Sequence, residues 1–360
     1  MTRRPRRIFL VGLYGVDNLG DDAIRMAVER AASRLGAEVH RYAVRRTVND
    51  PRGVRLRGAG WRQYVGAIRT SDRVAIGGGG LLKDEGHAVL RGYGVLLELL
   101  LTALVARAFR KRVVLLAIGA GPIQTRRGRL LVGAIARLAE LRQVRDEDSA
   151  RTLRALGVSG VELTVDPTFS LFDDDAPDGA RNGRAVLSVR PWFMFERDRE
   201  RREAALQAAL ARAADALVEG GAQARFASLY WPRDRAASEG VIARMSAGER
   251  AESLGRPLAW DELHAELRDA RLLVAMRYHA IACAAMARCP VVPVAYEPKV
   301  MALADALGLE ALHVDDPDLH ERLPALTRAA LADPDAHRAA GERLRELSDK
   351  AWRGLERALA

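Results

Sequence analysis

Five side chains of the sequence have types and positions that suit chemistry on a small anion. Arg145, Arg190, Arg277 and Lys299 each lie at or just beyond the end of a predicted short strand, and His279 lies two residues beyond Arg277. A guanidinium fork or a lysine at such a point can bind a carboxylate or a phosphate. A histidine can donate or accept a proton near neutral pH. The pattern indicates an anion site with an acid–base group beside it.

Each of these side chains also has a structural alternative. Arg145 is followed by Asp146 and Glu147, so an ion pair within the chain competes with anion binding. His279 is one of seven histidines, and most histidines are structural. Its position at the expected start of a helix, beside Arg277, favours a role as general acid.

Three glycine-rich turns, at 12–22, 77–84 and 119–122, follow other apolar runs. Glycine lets a backbone approach either a ligand or a neighbouring segment closely, and a helix that starts there offers free N–H groups. The spacing G-x-x-G-x-x-x-x-G of the first turn differs from the dinucleotide fingerprint G-x-G-x-x-G. Tight turns and ligand loops both remain open, and Lys83 and Asp84 are the polar candidates of the second turn.

The elements that must position these residues alternate between short strands and helices. The alternation stops at 173–184, a segment rich in turn residues, and then restarts. We expect an α/β protein with two Rossmann-like parallel-sheet domains that face each other across a cleft. The predicted division is 1–172 for the first domain, 173–184 for a linker, 185–332 for the second domain and 333–360 for a C-terminal helix.

Composition narrows the class of protein. The 360 residues include 49% hydrophobic and 29% charged residues, which excludes a disordered or integral membrane chain. The net charge of +10 permits an anionic partner without selecting one. Arginine is so dominant that only four lysines occur, two of which are Lys83 and Lys299. No nucleic-acid motif is present and the basic residues are spread, so we expect no nucleic-acid partner.

The sequence also indicates the cellular compartment and whether a metal or a membrane is involved. Two cysteines, Cys283 and Cys289, are too few for a disulfide framework and fit the core of a cytoplasmic protein. No zinc-binding spacing occurs, and we expect neither a metal nor a cofactor. The apolar segment 95–108 is too short to span a bilayer, and we interpret it as a buried helix, with peripheral contact to a membrane as the alternative.

Together the motifs resemble the bacterial polysaccharide pyruvyltransferases, especially the cell-wall type that prepares secondary polymers for S-layer anchoring. The resemblance extends over about residues 8–310. Its motifs, in chain order, are Asn18–Asp21, Gly77–Asp84, Gly119–Pro122, Val144–Ser149, Asp166–Pro167, Ser188–Trp192, Met276–Ala280 and Tyr296–Lys299.

The resemblance implies a GT-B-like fold and transfer of pyruvate from phosphoenolpyruvate, the donor, onto two hydroxyls of one sugar as a cyclic ketal. The acceptor it implies is an N-acetylmannosamine in a lipid-diphosphate-linked glycan. On this hypothesis His279 and Arg277 are catalytic, and the donor is bound by Arg145, Arg277, Lys299 and Arg190. The residues expected to bind the acceptor are Gly15, Asp17, Asn18, Gly79, Gly80, Lys83 and Asp84.

Two alternatives belong to other classes of protein. A GT-B nucleotide-sugar glycosyltransferase uses a similar histidine and arginine near a diphosphate, and fold alone does not separate it from a pyruvyltransferase. An anion-binding or scaffold protein at a membrane would need neither residue for catalysis.

Overall fold

The computed structural model describes residues 6–41, 60–84, 93–175, 179, 181–192, 198–333 and 341–360. The chain forms two compact units. The first consists of Met1–Val16, Asp21–Leu171 and Leu347–Ala360, and the second of Asp17–Gly20 and Phe172–Glu346. Each unit contains one six-stranded parallel sheet.

The first sheet and its helices come mainly from the N-terminal half of the chain. Its elements are β1 (Arg6–Val11), α1 (Leu19–Arg34), β2 (Ala37–Arg41), α2 (Gly60–Thr70), β3 (Arg73–Gly77), α3 (Gly94–Ala108), β4 (Arg112–Ile118), α4 (Arg126–Leu138), β5 (Leu141–Val144), α5 (Glu147–Ala155) and β6 (Val161–Leu163), followed by a 3₁₀ turn at Pro167–Leu171.

Both faces of this sheet are covered, which explains why its strands lack polar alternation. Phe9 and Val11 of β1 face the cluster formed with α2 to α5. Ile8 and Leu10 face the opposite cluster, which contains α1 and residues of the C-terminal helix. A strand with apolar residues on both sides has to be buried on both sides.

The second sheet is built from the rest of the chain. Its elements are β7 (Arg184–Ser188), α6 (Arg199–Glu219), β8 (Gln223–Phe226), α7 (Arg233–Ile242), a 3₁₀ turn at Gly248–Arg250, β9 (Ala251–Ser253), α8 (Trp260–Asp269), β10 (Leu272–Ala275), α9 (Tyr278–Met286), β11 (Val291–Ala295), α10 (Pro298–Leu307), β12 (Leu312–His313) and α11 (Leu319–Ala332), and the chain ends with α12 (Gly341–Leu359).

Strand order locates the favoured ligand edge of each sheet. The orders are β2-β1-β3-β4-β5-β6 and β12-β11-β10-β7-β8-β9. The direction of winding reverses between β1 and β3 in the first sheet and between β7 and β10 in the second. In open parallel sheets, ligands bind beyond the carboxyl ends of the strands at such a point. The turns that follow these four strands carry the first two glycine motifs, Arg190 and Arg277.

The predicted α/β class with two parallel sheets is confirmed. The division of the chain differs from the predicted one, because 17–20 groups with the second unit and 347–360 with the first. Parts of the predicted linker and C-terminal helix, at 176–178, 180 and 334–340, lie outside the described residues.

The segment 95–108 is predicted to be a buried helix, and this prediction is wrong for one side of the helix. Helix α3 buries Leu96, Leu99 and Ala103, but Leu97 and Leu101 are exposed. Within the described residues, no helix combines the length and the apolar character that crossing a bilayer requires.

Candidate active site

In the second unit, Arg277 is held by a buried carboxylate. It lies between β10 and α9, and its Nε donates to Oδ2 of Asp234 at 2.8 Å while its Nη2 donates to Oδ1. Asp234 is completely buried and also accepts from the backbone N–H of Tyr230 at 2.9 Å. Burial lowers the pKa of Arg277, but the charge and hydrogen bonds of Asp234 raise it above its usual range. The guanidinium is therefore a fixed cation.

A second group of cations surrounds the ring of Tyr296, which follows β11. Arg190 lies with Cζ 4.2 Å from the ring centroid, and Nζ of Lys299 lies 5.4 Å from it. Trp192 contacts the same ring, at 4.7 Å between centroids. Lys299 also pairs with the carboxylate of Glu297.

The phenol of Tyr296 responds to these charges. Burial raises its pKa, but Lys299, Arg190 and Arg277 together lower it below its usual range. Three predicted donor-binding residues thus act electrostatically on one buried side chain.

His279 lies in the first turn of α9, with its ring edge against Tyr278 at 5.1 Å between centroids. Its imidazole packs against Gly20, where an added Cβ would lie 2.1 Å from Nδ1 of the histidine. Only glycine at position 20 leaves the ring in this place. The histidine is half-buried and two residues from Arg277.

The segment Asp17–Gly20 is itself fixed by backbone hydrogen bonds. Leu19 N–H donates to the carbonyl of Leu229 at 2.8 Å, and Trp231 N–H donates to the carbonyl of Asp17 at 3.1 Å. Oδ1 of Asn18 accepts from the N–H of Gly20 at 3.2 Å. The sequence predicts Asp17 and Asn18 on the acceptor side, in the first domain, whereas in the structure they belong with His279 to the second unit.

Arg145 lies in the first unit, whereas the other predicted donor ligands lie in the second unit. Its Nη1 donates to Oδ2 of Asp166 at 2.9 Å, and its Nε lies 3.6 Å from Oδ2 of Asp146. Its side chain is 4% exposed and that of Asp166 is fully buried. This pairing corresponds to the predicted alternative of an ion pair within the chain, with Asp166 as the main partner, and donor binding by Arg145 stays a prediction.

The glycine run after β3 is explained mostly by packing. A Cβ on Gly77 would lie 2.2 Å from the carbonyl oxygen of Leu116, and one on Gly78 would lie 2.0 Å from Cγ2 of Ile24. Gly79 approaches Oδ1 of Asp21, where its Cβ would lie at 2.9 Å. Gly80 has more room, so among the predicted acceptor glycines of this run it is the one with space beside it. Gly15 has a positive φ of 71°, as a tight turn requires.

The carboxylate of Asp84 makes hydrogen bonds within the fold that compete with its predicted role in binding the acceptor. Its carboxylate accepts from the N–H of Gln124 at 2.6 Å and from the N–H and hydroxyl of Thr125 at 3.0 and 2.6 Å. Asp84 is 2% exposed, whereas the neighbouring Lys83 is exposed. Binding of a sugar by Asp84 stays a prediction that this geometry does not favour.

Sequence reasoning missed Asp234, Tyr296 and Gly20 as residues of the site. Gly20 lies in the motif Asn18–Asp21 and Tyr296 in the motif Tyr296–Lys299. Both motifs follow strands, so the sequence does indicate that these two residues could belong to the site. Asp234 lies in α7, 43 residues from Arg277, and no local pattern marks it. Both cysteines are buried thiols, and burial raises the pKa of Cys289 to about 12, in line with their predicted place in the core.

Solved structures place this architecture among two-unit α/β proteins with a GT-B-like fold. S. aureus MnaA in complex with UDP is 12% identical, with a TM-score of 0.59, over 98% of this chain and 94% of that chain. Sucrose-phosphate synthase from Thermosynechococcus elongatus is 18% identical, with a TM-score of 0.58, over 97% and 96%. WaaG, a glycosyltransferase of lipopolysaccharide biosynthesis, is 16% identical, with a TM-score of 0.55, over 98% of each chain. Identities this low show the fold alone.

The family follows from the sequence itself. The sequence model of the polysaccharide pyruvyl transferase family matches residues 18–298, from the segment beside His279 to the start of α10. The chain belongs to this family and is a transferase. No curated protein matches the chain significantly.

Proposed function

We propose that the protein transfers pyruvate from phosphoenolpyruvate to two hydroxyls of one sugar, forming a cyclic ketal and releasing phosphate. The observation that carries the proposal is the set of cations in the second unit. Arg190 and Lys299 lie over the ring of Tyr296, and Arg277, which is fixed by Asp234, lies two residues from His279.

The charge of the donor fits this set of cations. Phosphoenolpyruvate has a carboxylate and a phosphate whose second pKa is about 6, so it carries close to three negative charges at neutral pH. Arg277 is kept in one orientation by Asp234, which supports a preorganised cation for one end of the donor. Lys299 and Arg190 flank the aromatic ring and would meet the other end.

His279 is proposed as the general acid. It gives a proton to the methylene carbon of the donor, so that positive charge develops on the adjacent carbon and one sugar hydroxyl attacks there. The carbon–oxygen bond to phosphate then breaks, and the second hydroxyl closes the ketal. One hydroxyl proton returns to His279 and the other leaves with the phosphate. The N-terminus of α9, where His279 lies, favours the departing anion.

The acceptor in this proposal is a glycan with a sugar such as N-acetylmannosamine, carried on a lipid diphosphate in cell-wall polymer synthesis. The first-unit turns with Gly15, Gly80 and Lys83 are its proposed contacts, together with Asp17 and Asn18. A lipid-linked acceptor implies work at the inner face of the plasma membrane. Two buried thiols fit the reducing cytoplasm.

The test is a direct transfer assay. The purified protein is incubated with phosphoenolpyruvate and glycans that end in N-acetylmannosamine or galactose. Inorganic phosphate and the product mass are measured. We expect phosphate release to match a mass gain of one pyruvate less one water. If the same preparation instead transfers sugar from a UDP-sugar and never uses phosphoenolpyruvate, the glycosyltransferase alternative replaces this proposal.

A further inference from the structure

One face of the first unit carries a group of exposed large apolar side chains. Apart from Leu35, every large apolar side chain exposed in the described residues belongs to α2, α3 or α4, or to Phe109, which follows α3. On α3, Leu97, Leu101 and Leu104 are 46%, 44% and 48% exposed. These positions form one stripe along the helix, at the side where a surface helix normally carries polar residues.

The exposed side chains form one surface, because the three helices lie side by side. Helices α2, α3 and α4 cover the same face of the first sheet, and α3 contacts both of the others. Trp61 of α2 is 45% exposed and Leu130 of α4 is 74% exposed, so the apolar stripe is extended on both sides. We call this surface, with Val95 and Phe109, the α2–α3–α4 face.

The same three helices are strongly basic. They contain seven arginines and one acidic residue, Glu98. The arginines are Arg62, Arg69, Arg107, Arg126, Arg127, Arg129 and Arg137. A partner of this surface has to offer both an apolar environment and negative charge.

We infer that the α2–α3–α4 face docks on the surface of an anionic lipid bilayer. The leucines and Trp61 enter the boundary between headgroups and acyl chains, and the arginines meet lipid phosphates. Helix α3 has 15 residues, which suits a helix lying in the interface rather than one crossing it.

Other occupants match only half of this chemistry. A second copy of the chain would bring a face with the same seven arginines against the first, and like charges repel. A nucleic acid would neutralise the arginines and leave the leucines in water. The bilayer surface satisfies both requirements at once.

The inference deepens the proposed location at a membrane, yet it does not need pyruvyl transfer to be tested. The full chain is mixed with vesicles of equal parts phosphatidylglycerol and phosphatidylcholine, or of phosphatidylcholine alone, without donor or acceptor. Bound protein is measured by flotation. We expect clear binding to the anionic vesicles and at least about tenfold weaker binding to the neutral ones.

Matched variants test the surface itself. The double variant Leu101→Gln/Leu104→Gln should weaken binding at least about tenfold, whereas Leu35→Gln, at a leucine that is 42% exposed on another part of the unit, should leave it within about twofold. The triple variant Arg126→Glu/Arg127→Glu/Arg129→Glu should also weaken binding at least about tenfold. Its control, with the same change of net charge, is Arg30→Glu/Arg212→Glu/Arg353→Glu at exposed arginines elsewhere.

Three results would overturn the inference. The first is that the protein does not bind anionic vesicles. The second is that the control variants lose as much vesicle binding as the variants of the α2–α3–α4 face. The third is a dimer in analytical ultracentrifugation that Leu101→Gln/Leu104→Gln converts to a monomer. Vesicle binding without any pyruvyl transfer would reject the proposed function and leave this inference standing. Transfer activity without vesicle binding would reject this inference and leave the proposed function standing.

Discussion

At position 20 a hydrogen atom stands where any other residue would have a methyl or larger group. That group would lie 2.1, 2.7 and 2.8 Å from three ring atoms of His279. The peptide N–H of Gly20 is fixed by Asn18, and its neighbour Leu19 is bonded to Leu229. The backbone therefore has little freedom to move away, and the imidazole has to yield. Gly20 acts as a positioning residue for His279.

We predict that Gly20→Ala lowers kcat of pyruvyl transfer about a hundredfold with a smaller change in KM for the donor, because a displacement of about 1 Å at a catalytic group is costly. Steady-state kinetics at several pH values check this, since a displaced acid should also change the pH profile. The control is Gly255→Ala, whose new methyl meets nothing within 4 Å. Equal kinetics in the two variants would reject the positioning role.

His279 itself gives the sharpest residue-scale prediction. Its replacement by alanine removes the proposed proton donor, and general acids contribute about 10²- to 10⁴-fold. We expect His279→Ala to lower kcat by that factor while circular dichroism and thermal stability stay unchanged. His320→Ala is the matched control, at an exposed histidine of the same unit that pairs with Glu321. Near-normal turnover of His279→Ala would remove the histidine from the mechanism.

At the scale of elements, the start of α4 shows how a motif residue serves the fold. Thr125 caps the helix by accepting from the N–H of Gly128 at 2.9 Å, and Asp84 holds Thr125 and Gln124 in turn. A side chain at Gly128 would lie 1.9 Å from Oδ2 of Asp84. The turn after β3 and the start of α4 are thus locked together by one carboxylate.

Asp84→Asn should destabilise the first unit by about 1–3 kcal/mol at neutral pH, because one charged acceptor of several hydrogen bonds is lost. Burial raises the pKa of Asp84, but the hydrogen bonds from Thr125 and Gln124 outweigh it and lower the pKa below its ordinary value of 3.8. A carboxyl with a depressed pKa stabilises the fold above the unfolded-state pKa, and that stabilisation is lost as pH falls through the lower folded-state pKa.

The difference between wild type and Asp84→Asn should accordingly be constant from about pH 5 to about pH 8 and shrink below about pH 4. Denaturant unfolding at each pH measures it. Asp349→Asn, at an exposed carboxylate of the same unit, should change stability by less than about 0.5 kcal/mol throughout. A difference that grows as pH falls would contradict this account.

Elements that the sequence marks by a continuous apolar run were predictable, and the shortest strands were not. β10 and β11 are continuous apolar runs bounded by polar or turn residues, so the sequence marks both ends. β9 and β12 have three and two residues, too few to show any period. For the site, Arg277 was predictable from its place after a strand, whereas Asp234 and the contact between Gly20 and His279 depend on tertiary packing between segments distant in sequence.

At the scale of the whole molecule, the end of the chain belongs to the unit that contains its beginning. The last residues of α12 place Leu355, Ala358 and Leu359 in the buried cluster with β1 and α1. Arg6 and Arg73 donate to the carbonyls of Leu359 and Ala358 at 3.0 and 2.5 Å. These are last-turn carbonyls that lack intrahelical partners, so the arginines cap the helix. The sequence predicts a C-terminal helix but not which unit that helix covers.

This topology predicts that a core substitution in α12 destabilises the first unit and not the second. Leu355→Ala removes a side chain that is 2% exposed, which should cost about 2–5 kcal/mol. Because the lost contacts lie against β1 and α1, hydrogen exchange followed by mass spectrometry should show faster exchange in the first unit and unchanged exchange in β7 to β11. Leu323→Ala, at a fully buried leucine of α11, is the matched control and should give the opposite pattern. Faster exchange throughout both units in either variant would mean that they unfold as one, and the assignment of 347–360 to an independently stable first unit would be wrong.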